Sequence, residues 1–133
     1  MAAISSNGTG GGNWSATATW SGGVVPTSTD DVTIVAGDTV TVDTLLAEAN
    51  TVVLAGGGLK GHRTTANRLQ ITVSLTDSTN SDFDYGTSGD PITNSAEINS
   101  PIINLNSTFV LKLYGTKSNA TTRLNGAISA PTS

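Results

Sequence analysis

The sequence predicts an all-β domain, and three observations carry that prediction. Small polar residues and glycine dominate: 22 Thr, 15 Ser, 11 Asn and 15 Gly make up 63 of the 133 residues. Apolar residues recur at alternate positions in short runs, the period of a strand with one buried face. Gly, Asn and Pro punctuate those runs, and no i, i+3, i+4 stripe is long enough for a stable helix. Roughly eight short strands are expected. Two architectures fit them. V-x-V and V-x-I pieces between Gly and Asn turns suit a short β-solenoid, or β-helix, whereas the runs near residues 69–76 and 108–114 suit an antiparallel β-sandwich. No fixed repeat period separates the two.

Taken in order, residues 5–12, SSNGTGGG, hold no side chain able to pack, so residues 1–12 are expected to be a flexible Gly/Ser-rich arm. A single β domain is then expected over residues 13–133. NWSATATWS alternates, placing Trp14, Ala16, Ala18 and Trp20 on one face of a predicted strand that ends at Gly22 and Gly23. After Pro26, Val32 and Ile34 and then Val40 and Val42 alternate on either side of a Gly37–Asp38 turn signal. TLLAEA reads as a connection, and TVVLAGGGLKG as a further short strand. The strongest β signal is RLQITVSLT, with Leu69, Ile71, Val73 and Leu75 on one face. Asp77 to Ser100 reads as a polar, turn-rich stretch. Beyond it, Phe109, Leu111 and Leu113 alternate with Val110, Lys112 and Tyr114, and a weak strand candidate lies around Ala127 and Ile128.

Composition narrows function. Hydrophobic types are 36% and charged types 12% of the chain, against usual shares of roughly 45–50% and about 25%. Disorder through low hydrophobicity normally brings high net charge, yet ten acidic and six basic residues leave only −4. A thin, Thr-rich core results, and with no cysteine to staple it, association with neighbours is the expected supplement. Six scattered cations make no stripe to neutralise a phosphate backbone, so nucleic acid is not an expected partner. No apolar run approaches the roughly 20 residues that span a bilayer, so no membrane partner is expected either.

Four constellations could bear chemistry. Trp14 and Trp20 on one strand face would lie roughly 20 Å apart at about 3.3 Å per residue. Exposed, they could stack on sugar rings and serve as a partner or glycan contact. Buried, they would cover one end of a thin core, the favoured use of two of only six aromatics. Asp77, Asp82, Asp84 and Asp90 resemble a loop for a hard cation, but no glutamate closes the pattern and turn-forming aspartates explain it as well. Asp30 and Asp31, being adjacent, face opposite ways in an extended chain and are expected to fix the turn after Pro26. His62 is the single histidine and has no nucleophile motif beside it. No catalytic, cofactor-binding or metal-binding residue is therefore assigned, and no enzyme activity is expected.

The opening GNWSATATWSGGVVPTSTDDVTIVAGDTVTVD resembles a segment found in bacterial surface proteins and bacteriophage structural proteins. Trp14, Trp20, Gly22, Gly23, Pro26, Asp30, Asp31, Val32 and Ile34 occupy its motif positions. The resemblance implies scaffold and display on a β-helical or β-rich domain. The chain opens on a plain Met and a glycine arm with no secretion signal, which fits a virion component released by host lysis. Short, cysteine-free, Thr-rich β chains of this kind look like phage capsid decoration or cement proteins. That likeness implies a homotrimer bound to the major capsid protein or other virion subunits. The alternative is a carbohydrate-binding or adhesive module that uses Trp14 and Trp20.

Overall fold

In the computed structural model, residues 1–62, 65–78, 83–85, 96–104, 111–113 and 122–129 are described. Their strands are β1 Ala3–Ser5, β2 Gly11–Asn13, β3 Asp31–Val35, β4 Thr39–Val42, β5 Ala47–Ala55 and β6 Gly58–Gly61. β7 Asn67–Asp77, β8 Phe83–Tyr85, β9 Ala96–Asn104, β10 Leu111–Leu113 and β11 Thr122–Ser129 follow. The odd-numbered strands form one sheet in chain order, and the even-numbered strands form a second. Every strand pairing within both sheets is parallel. The chain thus visits one sheet, crosses to the other and returns one rung higher. This is a β-solenoid, and it excludes the antiparallel sandwich.

Parallel stacking in register turns the period-2 pattern into columns. Ile4, Val32, Val52, Leu75, Ile103 and Ile128 are successive register partners, each 20 to 28 residues after the one before. That uneven spacing, absorbed by loops of different length between rungs, is why no fixed period shows. Ile34 stacks on Leu54, Val40 on Leu59, and Ala47 on Leu69 and Ile98, and all of these side chains are buried. Successive rungs lie only about 4.8 Å apart, and Val, Ile, Leu and Ala side chains fill the space. The weak hydrophobic share of the composition is therefore concentrated in a narrow axial core.

The longer odd strands bend. The ladders shift register between Ala49 and Thr51, between Gln70 and Leu75, and between Asn125 and Ala127. Bulges of this kind kink a strand and re-aim its side chains. On β7 the shift turns Val73 outward, leaving it 47% exposed while Leu69, Ile71 and Leu75 stay buried. The expected single apolar face therefore breaks at Val73, because strict alternation does not survive a corner. Gly126 serves the matching corner of β11. Its φ is +145°, and a Cβ there would lie 1.7 Å from the Ser100 carbonyl oxygen.

Three further expectations are corrected. Residues 1–12 are not a free arm: β1 and β2 make them the first coil, and the β domain starts at Ala3 rather than Asn13. Trp14 to Ser21 is not a strand. The Asn13 carbonyl accepts from the Ala16 amide at 3.1 Å and the Thr19 hydroxyl at 2.7 Å, which curls the chain into a 3-10 turn at Thr17–Thr19. The stretch from Asp77 to Ser100, read as turn-rich, contributes β8 and the first half of β9. Among the described residues eleven strands stand where about eight were expected, because the shortest rungs are only three residues long. Phe109, Val110 and Tyr114 lie outside the described residues.

Candidate functional site

The N-terminal end of the solenoid is sealed by the segment that carries both tryptophans. Trp20 bridges antiparallel to Ser6. The Ser21 amide donates to the Ser5 carbonyl at 2.8 Å, and the Asn7 amide donates to the Thr19 carbonyl at 3.0 Å. These bonds cover the outer edge at the Ser5 end of β1 and just beyond it, an edge that a parallel sheet would otherwise leave open. Trp14 and Trp20 are 0% and 2% exposed, with ring centroids 4.9 Å apart in an edge-to-face arrangement. The Trp20 Nε1–H donates to the Trp14 carbonyl at 2.9 Å. The two indoles are thus one buried unit rather than sites about 20 Å apart along a strand, and neither turns a ring face to solvent. The alternation of Trp with Ala fits a turn that folds both rings inward as well as it fits a strand.

Four aspartates tie successive coils together. Asp38 is 1% exposed, and its two carboxylate oxygens accept the Gly8 and Gly10 amides at 2.8 Å each. Its own carbonyl accepts the Gly58 amide at 2.8 Å, so the residue links the first coil to the second and the second to the third. Asp30 accepts the Ala2 amide at 3.0 Å and both the amide and hydroxyl of Thr27, at 2.9 and 2.8 Å. Asp30 thus fixes the turn after Pro26 as expected, whereas Asp31, expected to share that role, does not. Asp31, one position on, faces the other way and accepts from Asn50 Nδ2 at 2.8 Å and the Thr51 hydroxyl at 2.9 Å. Asp43 accepts the amide and hydroxyl of Ser15 at 3.0 and 2.5 Å. Aspartate suits this work because a short chain with two acceptor oxygens can gather several orphan N–H and O–H groups in a loop at once.

These bonds show in the acidities. Burial pushes the Asp38 carboxyl up, but the Ser6 hydroxyl and the Gly8, Gly10 and Gly11 amides together outweigh it and hold the group below the ordinary carboxylate value. For Asp30 the amide and hydroxyl of Thr27, then the Ala2 amide, hold it below that value. Both groups are held in the ionised form by donors that belong to other parts of the scaffold.

On the outward side of the first half of the long odd strands, polar side chains form register columns. Arg68, Glu97 and Arg123 are successive partners, as are Gln70, Asn99 and Asn125. Arg68 Nε donates to Glu97 Oε2 at 3.4 Å, while Asn125 Nδ2 donates to Glu97 Oε1 and to Asn99 Oδ1, both at 2.7 Å. Asn99 Nδ2 donates to Gln70 Oε1 at 3.3 Å. Like residues stacked on adjacent parallel strands bond along the column in this way.

Among the described residues no three His, Cys, Asp or Glu side chains converge as metal ligands. Asp77 is buried on β7, whereas Asp82 and Asp90 lie outside the described residues. His62 Nδ1 accepts the Thr65 amide at 3.0 Å, and its own amide donates to the Val42 carbonyl at 2.8 Å.

Fold and ties together define a short β-solenoid domain sealed at one end, whose acidic side chains join coil to coil. The chain belongs to the G8 domain family, whose model matches residues 19–126. That stretch runs from the N-terminal seal to the corner glycine of β11. No curated protein and no solved structure matches the chain.

Proposed function

We propose that this G8 domain is a non-enzymatic structural module that acts by association. The observation that carries the reading is the employment of Asp30, Asp31, Asp38 and Asp43, whose carboxylates each accept donors from a loop or a neighbouring coil. A general acid or base needs a carboxyl free to exchange its proton with a substrate. Carboxylates locked in this way build a rigid body instead. With β1 and β2 already folded into the solenoid, such a body meets a partner without paying to order its first twelve residues. The setting we favour is the surface of a virion, with the domain binding the major capsid protein or other virion subunits as a homotrimer. Its support is the opening motif from Trp14 to Ile34.

Light scattering on the purified domain, alone and mixed with shell particles, tests this reading. A stable trimer that decorates the shell is the expected result. A monomer that binds no shell would overturn the virion setting, and turnover of a substrate by the isolated domain would overturn the structural role itself.

A further inference from the structure

The two ends of the odd-strand sheet differ. The outer edge of β1 is closed at its Ser5 end by Trp20 and Ser21, whereas β11 pairs with β9 on one side and has no strand on its other side among the described residues. Two side chains on β11 are left in positions that a further rung would complete. Ile128 continues the core column above Ile103, yet it is 53% exposed where Ile103 is fully buried. Arg123 continues the column Arg68, Glu97, whose charges alternate. Glu97 is taken by Arg68 and Asn125, and among the described residues Arg123 forms no ion pair. The alternation calls for a carboxylate next.

We propose that the edge of β11 that no described strand covers is a docking site for one extended acidic segment of a partner chain, added as a parallel strand. This inference deepens the association reading and rests on it. Backbone N–H and C=O groups along the edge supply the ladder bonds common to all strand addition, and side chains at fixed register supply the selectivity. The occupant carries a carboxylate opposite Arg123 and an aliphatic side chain opposite Ile128. Because β9 pairs with β11 across the same corner, it gives the spacing: Glu97 and Ile103 are six residues apart where Arg123 and Ile128 are five. The occupant therefore reads as an acidic residue, five others, then Ile, Leu or Val.

The probe is the synthetic peptide AEINSPIIN, which repeats residues 96–104, carrying a fluorophore and titrated against the full chain by anisotropy. Saturable binding is expected. Arg123→Glu weakens it about threefold to fivefold, as befits an exposed ion pair turned into a repulsion, and a peptide with lysine in place of its glutamate restores it. Ile128→Asp weakens it about tenfold or more. Both positions are exposed, so circular dichroism of the variants is expected to match the parent. No saturable binding to the parent chain overturns the proposal, as does equal affinity for the parent and Arg123→Glu. Light scattering on the same samples keeps the two readings apart: a persisting oligomer with no peptide binding sinks the edge alone, whereas a monomer that still binds peptide sinks the homotrimer alone.

Discussion

Replacing Asp38 with alanine isolates what one carboxylate does for the first coil. Hydrogen bonds to a charged acceptor contribute about 1.5–3 kcal/mol each. Asp38 accepts two from Gly8 and Gly10, both at 2.8 Å. The two glycines lie at the surface, where water can replace the lost acceptor. The low end of the range therefore applies to each bond, giving about 3 kcal/mol for the pair. A solenoid sums its stability from neighbouring rungs, so the loss is expected to fall on the first coil. Native-state hydrogen exchange reads it directly. About 3 kcal/mol corresponds to roughly a hundredfold loss of protection, at amides such as Ser6, bonded to the Thr33 carbonyl, and Thr39, bonded to the Gly10 carbonyl. The Arg68 amide, bonded to the Thr44 carbonyl, is expected to change little.

Acid adds a second signature. The Asp38 carboxyl is held below its ordinary value of 3.8 in the folded chain. A depressed folded value stabilises fully above the unfolded one and loses that contribution as pH falls through the folded one. The gap between parent and Asp38→Ala is therefore full at neutral pH and narrows below about pH 4. Uniform loss of protection along the chain, a loss under about threefold at Ser6 and Thr39, or a gap that ignores pH would refute the reasoning.

Other outcomes follow from the same geometry. Trp14→Ala empties a fully buried site under the seal and is expected to cost about 3–5 kcal/mol in urea denaturation. Gly126→Ala drives a Cβ toward the Ser100 carbonyl at a φ only glycine favours. We expect about 2–3 kcal/mol of local destabilisation, seen as faster exchange of the β11 amides with the first coil unchanged. Arg68→Ala removes an exposed pair at 3.4 Å and is expected to move the denaturation midpoint by no more than about 0.5 kcal/mol equivalent.

The sequence made legible the parts of the fold that rest on local alternation. Val32, Ile34, Val40 and Val42 were expected to point inward and do, because a short strand with two in-facing β-branched residues has few other ways to bury them. What stayed hidden was what depends on partners 20 or more residues away. Whether β3 and β4 pair with each other or stack in separate sheets cannot be told from VTIVAGDTVTV, since the Gly37 turn suits either. The corner at Val73 was invisible because a bulge is set by the neighbouring rung. The glycines from Gly8 to Gly12 look unstructured until Asp38, some thirty residues on, gathers their amides. Of the site, the turn role of Asp30 could be read in advance from its place after Pro26. The ties through Asp38 and Asp43, and the charge column ending at Arg123, needed the register.

The unequal ends also bear on fibre growth. Head-to-tail polymers need each unit to present two matching docking surfaces, so that every arrival creates a place for the next. Here the indole lid obstructs one of the two: beside Ser5 to Asn7 a copy that approaches nose first meets Thr19 to Ser21 where a further rung would have to pair. Parallel sheets that would otherwise template an endless filament are thereby given a stop, and it is written into residues 14–23 rather than into any partner.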